Sequence, residues 1–290
     1  LIVPQGGNAS GSVLALFGLS FKQRLLVRAQ SSGVQHFRQG RIGNCWMLTA
    51  LASLVWHHPH YLCNIIPDPN INSQGLYQLF FCLDGQWEPI EVDDFFPCDK
   101  ENRLVFAQAI GQHLFAPLME KALAKYHSCY KALSVGTVLE GFSTLTGMPL
   151  TRKMVPPKDI EPLWQEMSQC LRSHYMMAAC CGKAVHGLYE NHAYSVLDAM
   201  GGGHVKALLL WNPWGQQELS GILLEAHQWL QSKLPKVKLC PGMFWMRFQD
   251  FALTFDYVDI CKFSSKWYCK RYEFMMPFDI ADHKNFTVFE

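Results

Sequence analysis

The most pronounced hydrophobic pattern in the chain is an apolar run over residues 46–55, which follows a loop with glycines at positions 40 and 43. The run contains no proline and few polar residues, so we expect a buried helix. Cys45 would lie at the N-terminus of this helix, where unpaired backbone N–H groups and the helix dipole stabilise an anion. That position predicts a lowered thiol pKa and a nucleophilic cysteine. The alternative is an ordinary buried thiol, the usual state of a free cysteine.

Periodicity along the rest of the chain predicts the other elements. Further helices are expected over residues 14–29, 108–132, 138–146 and 160–173. A hairpin is expected where the strand-like runs 75–83 and 86–92 flank Asp84-Gly85, because this dipeptide favours a two-residue turn. Strands are expected over residues 175–181, 193–200, 205–211 and 243–248.

The order of these elements divides the chain into a mainly helical part and a strand-rich part. Pro149 and the two prolines at 156 and 157 mark the change in composition. We therefore expect an α+β fold with two subdomains, residues 34–149 and residues 150–262. Residues 1–33 are expected to form an N-terminal extension.

The composition of the chain argues against several classes of protein and indicates a cellular location. The formal net charge of +1 gives no basis for nucleic-acid binding. No apolar run reaches the roughly 18 residues of a transmembrane segment, and the start of the chain lacks a basic leader, so no signal peptide is expected. The 11 cysteines are odd in number and scattered, which favours reduced thiols and a cytoplasmic location.

The strand-rich part supplies two partners for Cys45. His192 precedes the predicted strand 193–200, and Asn212 follows the strand 205–211. If the two strands pair, the imidazole can take the thiol proton and the amide can orient the imidazole. Gln39 can donate its amide to an oxyanion near the sulfur. Taken singly, His192 is one of 12 histidines and Asn212 a turn residue before proline, so spacing alone leaves both interpretations open.

Three stretches carry a family resemblance: Gln39-Gly40-x-x-Gly43-Asn44-Cys45-Trp46, Asn191-His192-Ala193-Tyr194-Ser195-Val196 and Trp211-Asn212-Pro213-Trp214-Gly215. They resemble, in the same order, the three signatures of the calpain cysteine protease core. Further matches, including Glu120-Lys121-Ala122-Leu123-Ala124-Lys125, extend the resemblance over about residues 34–262 and are most similar to the small-optic-lobes branch. One smaller departure is Asn191, where glycine often precedes the histidine.

The resemblance implies a papain-like fold with the active site in a cleft between the subdomains. Cys45 would be the nucleophile, His192 the general base and acid, and Asn212 the orienting residue, while Gln39 and the Cys45 N–H would form the oxyanion hole. Trp214 and Gly43 would line the substrate cleft. By the same resemblance the substrates are proteins, and residues 263–290 begin a further domain of a longer chain.

Calpain cores also bind calcium in each subdomain, and by resemblance Glu140, Glu218 and Glu225 fall at or near acidic ligand positions. Other ligand positions depart from the family, since His36 replaces an aspartate and Pro241 and Met243 stand where an acidic pair is usual. Calcium prefers six to eight oxygen ligands. We therefore expect weak calcium binding in this core, or none.

Two alternative functions follow from these observations. The altered calcium positions are consistent with a catalytically silent scaffold that keeps the fold. A transglutaminase-like acyl transfer would use the same nucleophile, but it usually pairs histidine with aspartate rather than asparagine.

A metal site at His57, His58, His60 and Cys63 is disfavoured, because histidines beside a proline at a helix end predict a solvated turn.

Overall fold

The computed structural model describes residues 12–15, 33–68, 70, 73–111, 113–156, 158–202, 205–216, 219–234 and 238–264. Most of the predicted extension over residues 1–33 and nearly all of the further domain predicted from residue 263 therefore lie outside the described residues. The helices of the described part are α1 (Cys45–His57), α2 (Leu62–Ile65), α3 (Phe115–Tyr126), α4 (Val138–Thr146), α5 (Glu161–Arg172), α6 (Gly221–Lys233) and α7 (Phe248–Thr254).

The strands are β1 (Ser12–Ala15), β2 (Phe37–Arg38), β3 (Leu76–Leu83), β4 (Gln86–Asp93), β5 (Phe95–Cys98), β6 (Gln108–Ala109), β7 (Leu150–Met154), β8 (Met176–Cys181), β9 (His192–Gly202), β10 (Val205–Trp211), β11 (Met243–Arg247) and β12 (Phe255–Cys261). Six of them form an antiparallel sheet in the order β11-β10-β9-β8-β12-β7. The other strands form the pairs β1-β5, β2-β6 and β3-β4. The α+β class predicted from the sequence is confirmed.

Helix α1 lies at the centre of the molecule, and all ten of its residues from 46 to 55 are buried. A helix that is apolar on all sides needs neighbours on all sides. The six-stranded sheet covers one side, where Met176 and Ala178 of β8 and Ala193 of β9 join the same apolar cluster as α1. The other face of the sheet packs a second cluster with α5 and α7. The division at residue 149 stays a prediction, since the first cluster contains residues from both sides of it.

The few polar side chains of α1 connect it to the sheet. Thr49 Oγ1 donates to the carbonyl oxygen of Ala193 at 3.1 Å, and Ser53 Oγ donates to that of Met177 at 2.9 Å. Ser195 Oγ of β9 donates in the opposite direction, to the carbonyl oxygen of Thr49, at 2.9 Å. Buried hydroxyl groups need such partners. These bonds therefore set the position of α1 on the sheet.

The predicted hairpin is confirmed. Strands β3 and β4 pair with Leu83 opposite Gln86, and Asp84 and Gly85 adopt φ angles of 48° and 79°. Two consecutive residues with positive φ form the turn that matches the twist of antiparallel strands. The helices expected over residues 138–146 and 160–173 are α4 and α5, and the four strands expected between residues 175 and 248 are β8 to β11.

Two predicted helices are wrong in extent. The helix expected over residues 108–132 covers only Phe115–Tyr126, because Pro117 lies in its first turn and Gly111 adopts a φ of 75°. A proline lacks the N–H that an interior turn requires, so the helix begins just before it. The helix expected over residues 14–29 is contradicted at its start, where β1 pairs with β5 through residues 12–15. Its remainder lies outside the described residues. In the part of the chain that the structure describes, every helix is too short or too polar to cross a bilayer.

Candidate active site

Cys45 is the first residue of α1, as predicted, and it is half-buried. Asn44 occupies the N-cap position but its side chain makes no capping hydrogen bond, although asparagine is among the strongest N-cap residues. Backbone N–H groups of Ala193, Trp46 and Cys45 itself instead approach the thiol. The helix N-terminus therefore directs its unpaired donors at the sulfur.

His192 and Asn212 are brought together by two paired strands. His192 begins β9, Asn212 follows the last residue of β10, and Trp211 pairs with Ser195 across the sheet. The His192 Nε2 and Asn212 Oδ1 atoms lie 2.9 Å apart, and both residues are buried. The pairing inferred from the sequence is thus observed.

The surroundings of Asn212 determine which nitrogen of His192 carries the proton. Asn212 Oδ1 also accepts from the backbone N–H of Trp214 at 3.0 Å, and its Nδ2 donates to the carbonyl oxygen of Gln216 at 3.1 Å. These contacts fix the amide with its oxygen toward the imidazole, so Nε2 must be the donor. Nδ1 of His192 is then the nitrogen with a free lone pair, as a general base requires.

Aromatic rings cover the imidazole. The Trp214 ring lies with its centroid 4.6 Å from that of His192, and Tyr189 lies 4.1 Å from Trp214. Both rings keep water from one face of the histidine. Asn191, which precedes the histidine, has a φ of 52°. Asparagine tolerates this left-handed conformation better than most residues, which explains how it replaces a glycine there.

Gln39 lies on the loop before α1 and is tied to the loop that carries Asn212. Its backbone N–H donates to the carbonyl oxygen of Pro213 at 2.7 Å, and its Nε2 donates to the carbonyl oxygen of Ile42 at 2.6 Å. An amide nitrogen has two hydrogens, so one N–H is left for a further acceptor. Gly43, predicted to line the cleft, is exposed, and Trp214 is partly exposed.

The pKa of Cys45 is shifted in the direction opposite to the one predicted from the sequence, and the pKa of His192 is shifted as well. Burial raises the pKa of the Cys45 thiol above its ordinary value, and the backbone N–H groups of Ala193 and Trp46 only partly oppose this effect. The lowered pKa predicted from the helix N-terminus is therefore wrong, because loss of hydration outweighs the helix terminus. Burial also lowers the pKa of His192 to about 4, against the opposing bond to Asn212. Burial thus disfavours the charged form of each group.

The predicted calcium positions offer poor donor sets. The His36 ring lies 3.9 Å from the ring of His113, Met243 is buried at the start of β11, and Pro241 contributes its carbonyl oxygen to Trp211 Nε1. Glu140 and Glu225 are exposed on separate helices, and Glu218 lies outside the described residues. Within the described ranges, no group of three or more histidine, cysteine, aspartate or glutamate residues is arranged to hold a metal ion. The described residues at these positions supply few of the carboxylate oxygens that calcium prefers, and weak or absent calcium binding stays a prediction.

The polar contacts that position α1 and Cys45 were not predicted from the sequence. Thr49 and Ser53 are polar positions within an apolar helix, and Glu120 is a charged position within the apolar part of α3. Isolated polar residues at otherwise buried positions were the available signal, because such groups need a specific partner. The partner itself is long-range and cannot be read from spacing.

Comparisons with known proteins point to one family. A family model described as calpain family cysteine protease matches residues 20–262. The calpain-type cysteine protease ADL1 of Oryza sativa subsp. japonica is 31% identical over 243 residues, which are 77% of this chain and 11% of that protein. The calpain-2 catalytic subunit of Mus musculus is 33% identical over 244 residues, 77% of this chain and 35% of that protein.

A third relative, calpain-8 of Homo sapiens, is 31% identical over 251 residues, which are 78% of this chain and 35% of that protein. The chain thus spans about a third or less of the length of the curated relatives it matches. The finer resemblance to the small-optic-lobes branch stays a prediction.

Proposed function

The chain belongs to the calpain family of cysteine proteases, and from that premise we propose that it is an intracellular cysteine endopeptidase that cleaves protein substrates. The observation that supports this most is the 2.9 Å contact between His192 Nε2 and Asn212 Oδ1, with Cys45 at the adjacent end of α1. The free thiols of all ten cysteines of the described part are consistent with a reducing compartment.

In the proposed reaction, Nδ1 of His192 accepts the thiol proton as the Cys45 sulfur attacks the scissile carbonyl carbon. The carbonyl oxygen becomes an oxyanion, which the Cys45 N–H and the remaining Gln39 N–H stabilise. The imidazolium then returns its proton to the leaving amine, and the C–N bond breaks to leave a thioester.

Water hydrolyses the thioester in the second half of the reaction. His192 takes a proton from the water, the hydroxide adds to the thioester carbonyl, and the C–S bond breaks to release the carboxylic acid and the thiol. Asn212 holds the imidazole in one tautomer through both halves. The Trp214 ring over His192 limits access of bulk water to the base.

The test is cleavage of a labelled protein substrate by the wild type, Cys45→Ala and Cys63→Ala. Cys63 is an exposed, distal cysteine and serves as the matched control. We expect at least about a thousandfold loss of rate in Cys45→Ala and wild-type rates in Cys63→Ala. Equal rates in both variants would contradict the proposal.

The second candidate is a catalytically silent scaffold. The observation that favours it is the burial of both Cys45 and His192, which opposes formation of a thiolate. A folded wild-type chain that binds a protein substrate without cleaving it would support this candidate. The transglutaminase-like alternative loses support from the asparagine, rather than aspartate, beside His192.

A further inference from the structure

Glu120 lies on α3 and is only 1% exposed, yet its carboxyl group has no cationic partner in the described part of the chain. Its Oε1 accepts from Asn44 Nδ2 at 2.6 Å, and its Oε2 accepts from the backbone N–H of Ala107 at 2.7 Å. Asn44 is fully buried and immediately precedes the nucleophile. A buried carboxyl group thus holds the residue next to Cys45.

The hydrogen bond to Glu120 keeps the Asn44 side chain from capping α1. An N-cap asparagine normally accepts a hydrogen bond from the second or third N–H of its helix. Here the side chain points to Glu120 instead, and the only helix contacts of Asn44 in the described residues are those of its backbone carbonyl with Met47 and Leu48. The N–H groups of Cys45 and Trp46 are left to the thiol.

We propose that Glu120 is a positioning residue for Cys45, which keeps the Asn44 side chain away from the helix N-terminus so that the first N–H groups of α1 remain available to the sulfur and the oxyanion. The inference rests on the proposed function for its catalytic meaning. Glu120 itself does not contact the reacting atoms. Its effect is to keep the Asn44 side-chain oxygen from accepting the N–H groups at the start of α1, so that these groups remain free for the sulfur.

Glu120 acts in its neutral form. Burial raises the pKa of its carboxyl group to about 8, against the two N–H donors. Of the neighbouring titratable groups, Tyr130 faces it from the turn after α3, and Lys121 turns away to Asp93. Asn44 Oδ1, which has no hydrogen-bond partner among the described residues, can accept the carboxylic O–H if the amide turns over. Above about pH 8 the buried group becomes a charge that opposes a thiolate nearby.

The test is the rate of Cys45 alkylation by iodoacetamide, followed by mass spectrometry from about pH 6 to about pH 9.5. The full chain is compared with Glu120→Gln, Glu120→Ala and Glu166→Gln. Glu166 is a partly exposed glutamate of α5 that pairs with Lys153, and it serves as the control. Glutamine has the shape of the neutral acid and cannot ionise. Its oxygen can accept from the Ala107 N–H, and its Nε2 can donate to Asn44 Oδ1 once the Asn44 amide turns over.

We expect Glu120→Gln to match the wild type at about pH 7 and to react about threefold faster at about pH 9, where only the wild type carries the buried charge. Glu120→Ala should react about fivefold more slowly than Glu120→Gln at about pH 7, because Asn44 is then free to cap the helix. Adding Asn44→Ala to Glu120→Ala should recover part of that loss, which a purely structural role would not allow.

A Glu120→Ala rate equal to that of Glu120→Gln at about pH 7 would overturn the inference. So would an unchanged rate when Asn44→Ala is added to Glu120→Ala. If Glu120→Ala fails to fold, Glu120→Met replaces it in both comparisons, because methionine fills a similar volume without a group that can hold the Asn44 amide. Alkylation needs no proteolysis, so a chain that shows these shifts but cleaves nothing would refute the proposed function and leave the role of Glu120 standing.

Discussion

Ser195 donates a 2.9 Å hydrogen bond from its hydroxyl to the carbonyl oxygen of Thr49, and both residues are fully buried. The bond connects the helix that begins with Cys45 to the strand that begins with His192. The backbone bond from Gln39 to Pro213 makes a second connection, between the loop before α1 and the loop that carries Asn212. Contacts within the chain therefore connect the helix and the strand that carry Cys45 and His192.

We predict that calcium has little effect on the rate of protein cleavage, because hydrogen bonds within the chain already connect the Cys45 helix to the His192 strand. His36, Pro241 and Met243 also lack the carboxylates that calcium prefers. We expect protein cleavage in excess EDTA to be within about twofold of cleavage in millimolar calcium. Magnesium at the same concentration controls for ionic effects. Stimulation of about tenfold or more by calcium alone would show that the two halves need a metal ion to align.

Replacing Gln39 by alanine should lower kcat by about 100- to 1000-fold while changing KM by less than about threefold, because the lost donor acts on the oxyanion and not on the bound substrate. The comparison is Gln78→Ala, an exposed glutamine of β3. A rise in KM with kcat unchanged would instead place Gln39 in ground-state binding.

The acid limb of kcat/KM should have a midpoint near pH 4, which is the pKa of His192. Above that pH the imidazole is neutral and can accept the thiol proton, and below it the base is blocked. Trp214→Ala should move the midpoint upward toward the ordinary histidine value of about 6.5, because the ring that excludes water is removed.

Trp229→Ala provides the matched control for that shift, since Trp229 is an exposed tryptophan on α6. It should leave the midpoint unchanged. An acid limb that stays in place in Trp214→Ala would mean that the tryptophan does not shield His192.

His57 should make the protein sensitive to acid. Burial lowers its pKa to about 3, and the rings of His58 and His174 lie close by. Below about pH 6.5 the unfolded chain binds a proton at His57 that the folded chain refuses, so the free energy of unfolding falls, by about 2 kcal/mol at pH 5. In denaturant titrations, the free energy of unfolding should fall by about 2 kcal/mol less in His57→Phe than in the wild type when the pH is lowered from 7 to 5.

His60→Phe is the control for this measurement, because His60 is exposed on the turn that follows α1. It should lose as much stability as the wild type over the same pH interval. If His57→Phe behaves in the same way as His60→Phe, His57 is solvated in solution, as the turn sequence had suggested.

Much of the fold could be predicted because the local signals are strong. The unbroken apolar run of α1 and the Asp84-Gly85 turn depend on neighbours in sequence. The short strands β1, β2, β5 and β6 could not be predicted, since a strand of two to four residues has no periodicity of its own. The helix predicted over residues 108–132 is too long, because its periodicity runs through Gly111 and Pro117, and these two residues determine where the helix can begin.

The candidate site, like the fold, could be predicted from the sequence only in part. Residue types and order suggested Cys45, His192, Asn212 and Gln39, and the strand pairing inferred for His192 and Asn212 is observed. The direction of the Cys45 pKa could not be predicted, because the helix N-terminus is a local feature and burial depends on the whole fold. The contact between Asn44 and Glu120 spans 76 positions, so only the structure shows it.

The most direct test of the account is labelling of the folded chain by an epoxide that reacts with cysteine proteases, with the adduct located by mass spectrometry. We predict one adduct, on Cys45, in EDTA. His192→Ala should form this adduct much more slowly, and His186→Ala, which changes a histidine outside the proposed triad, should form it at the wild-type rate. Labelling spread over several of the free cysteines, or on Cys45 at the same rate without His192, would contradict it.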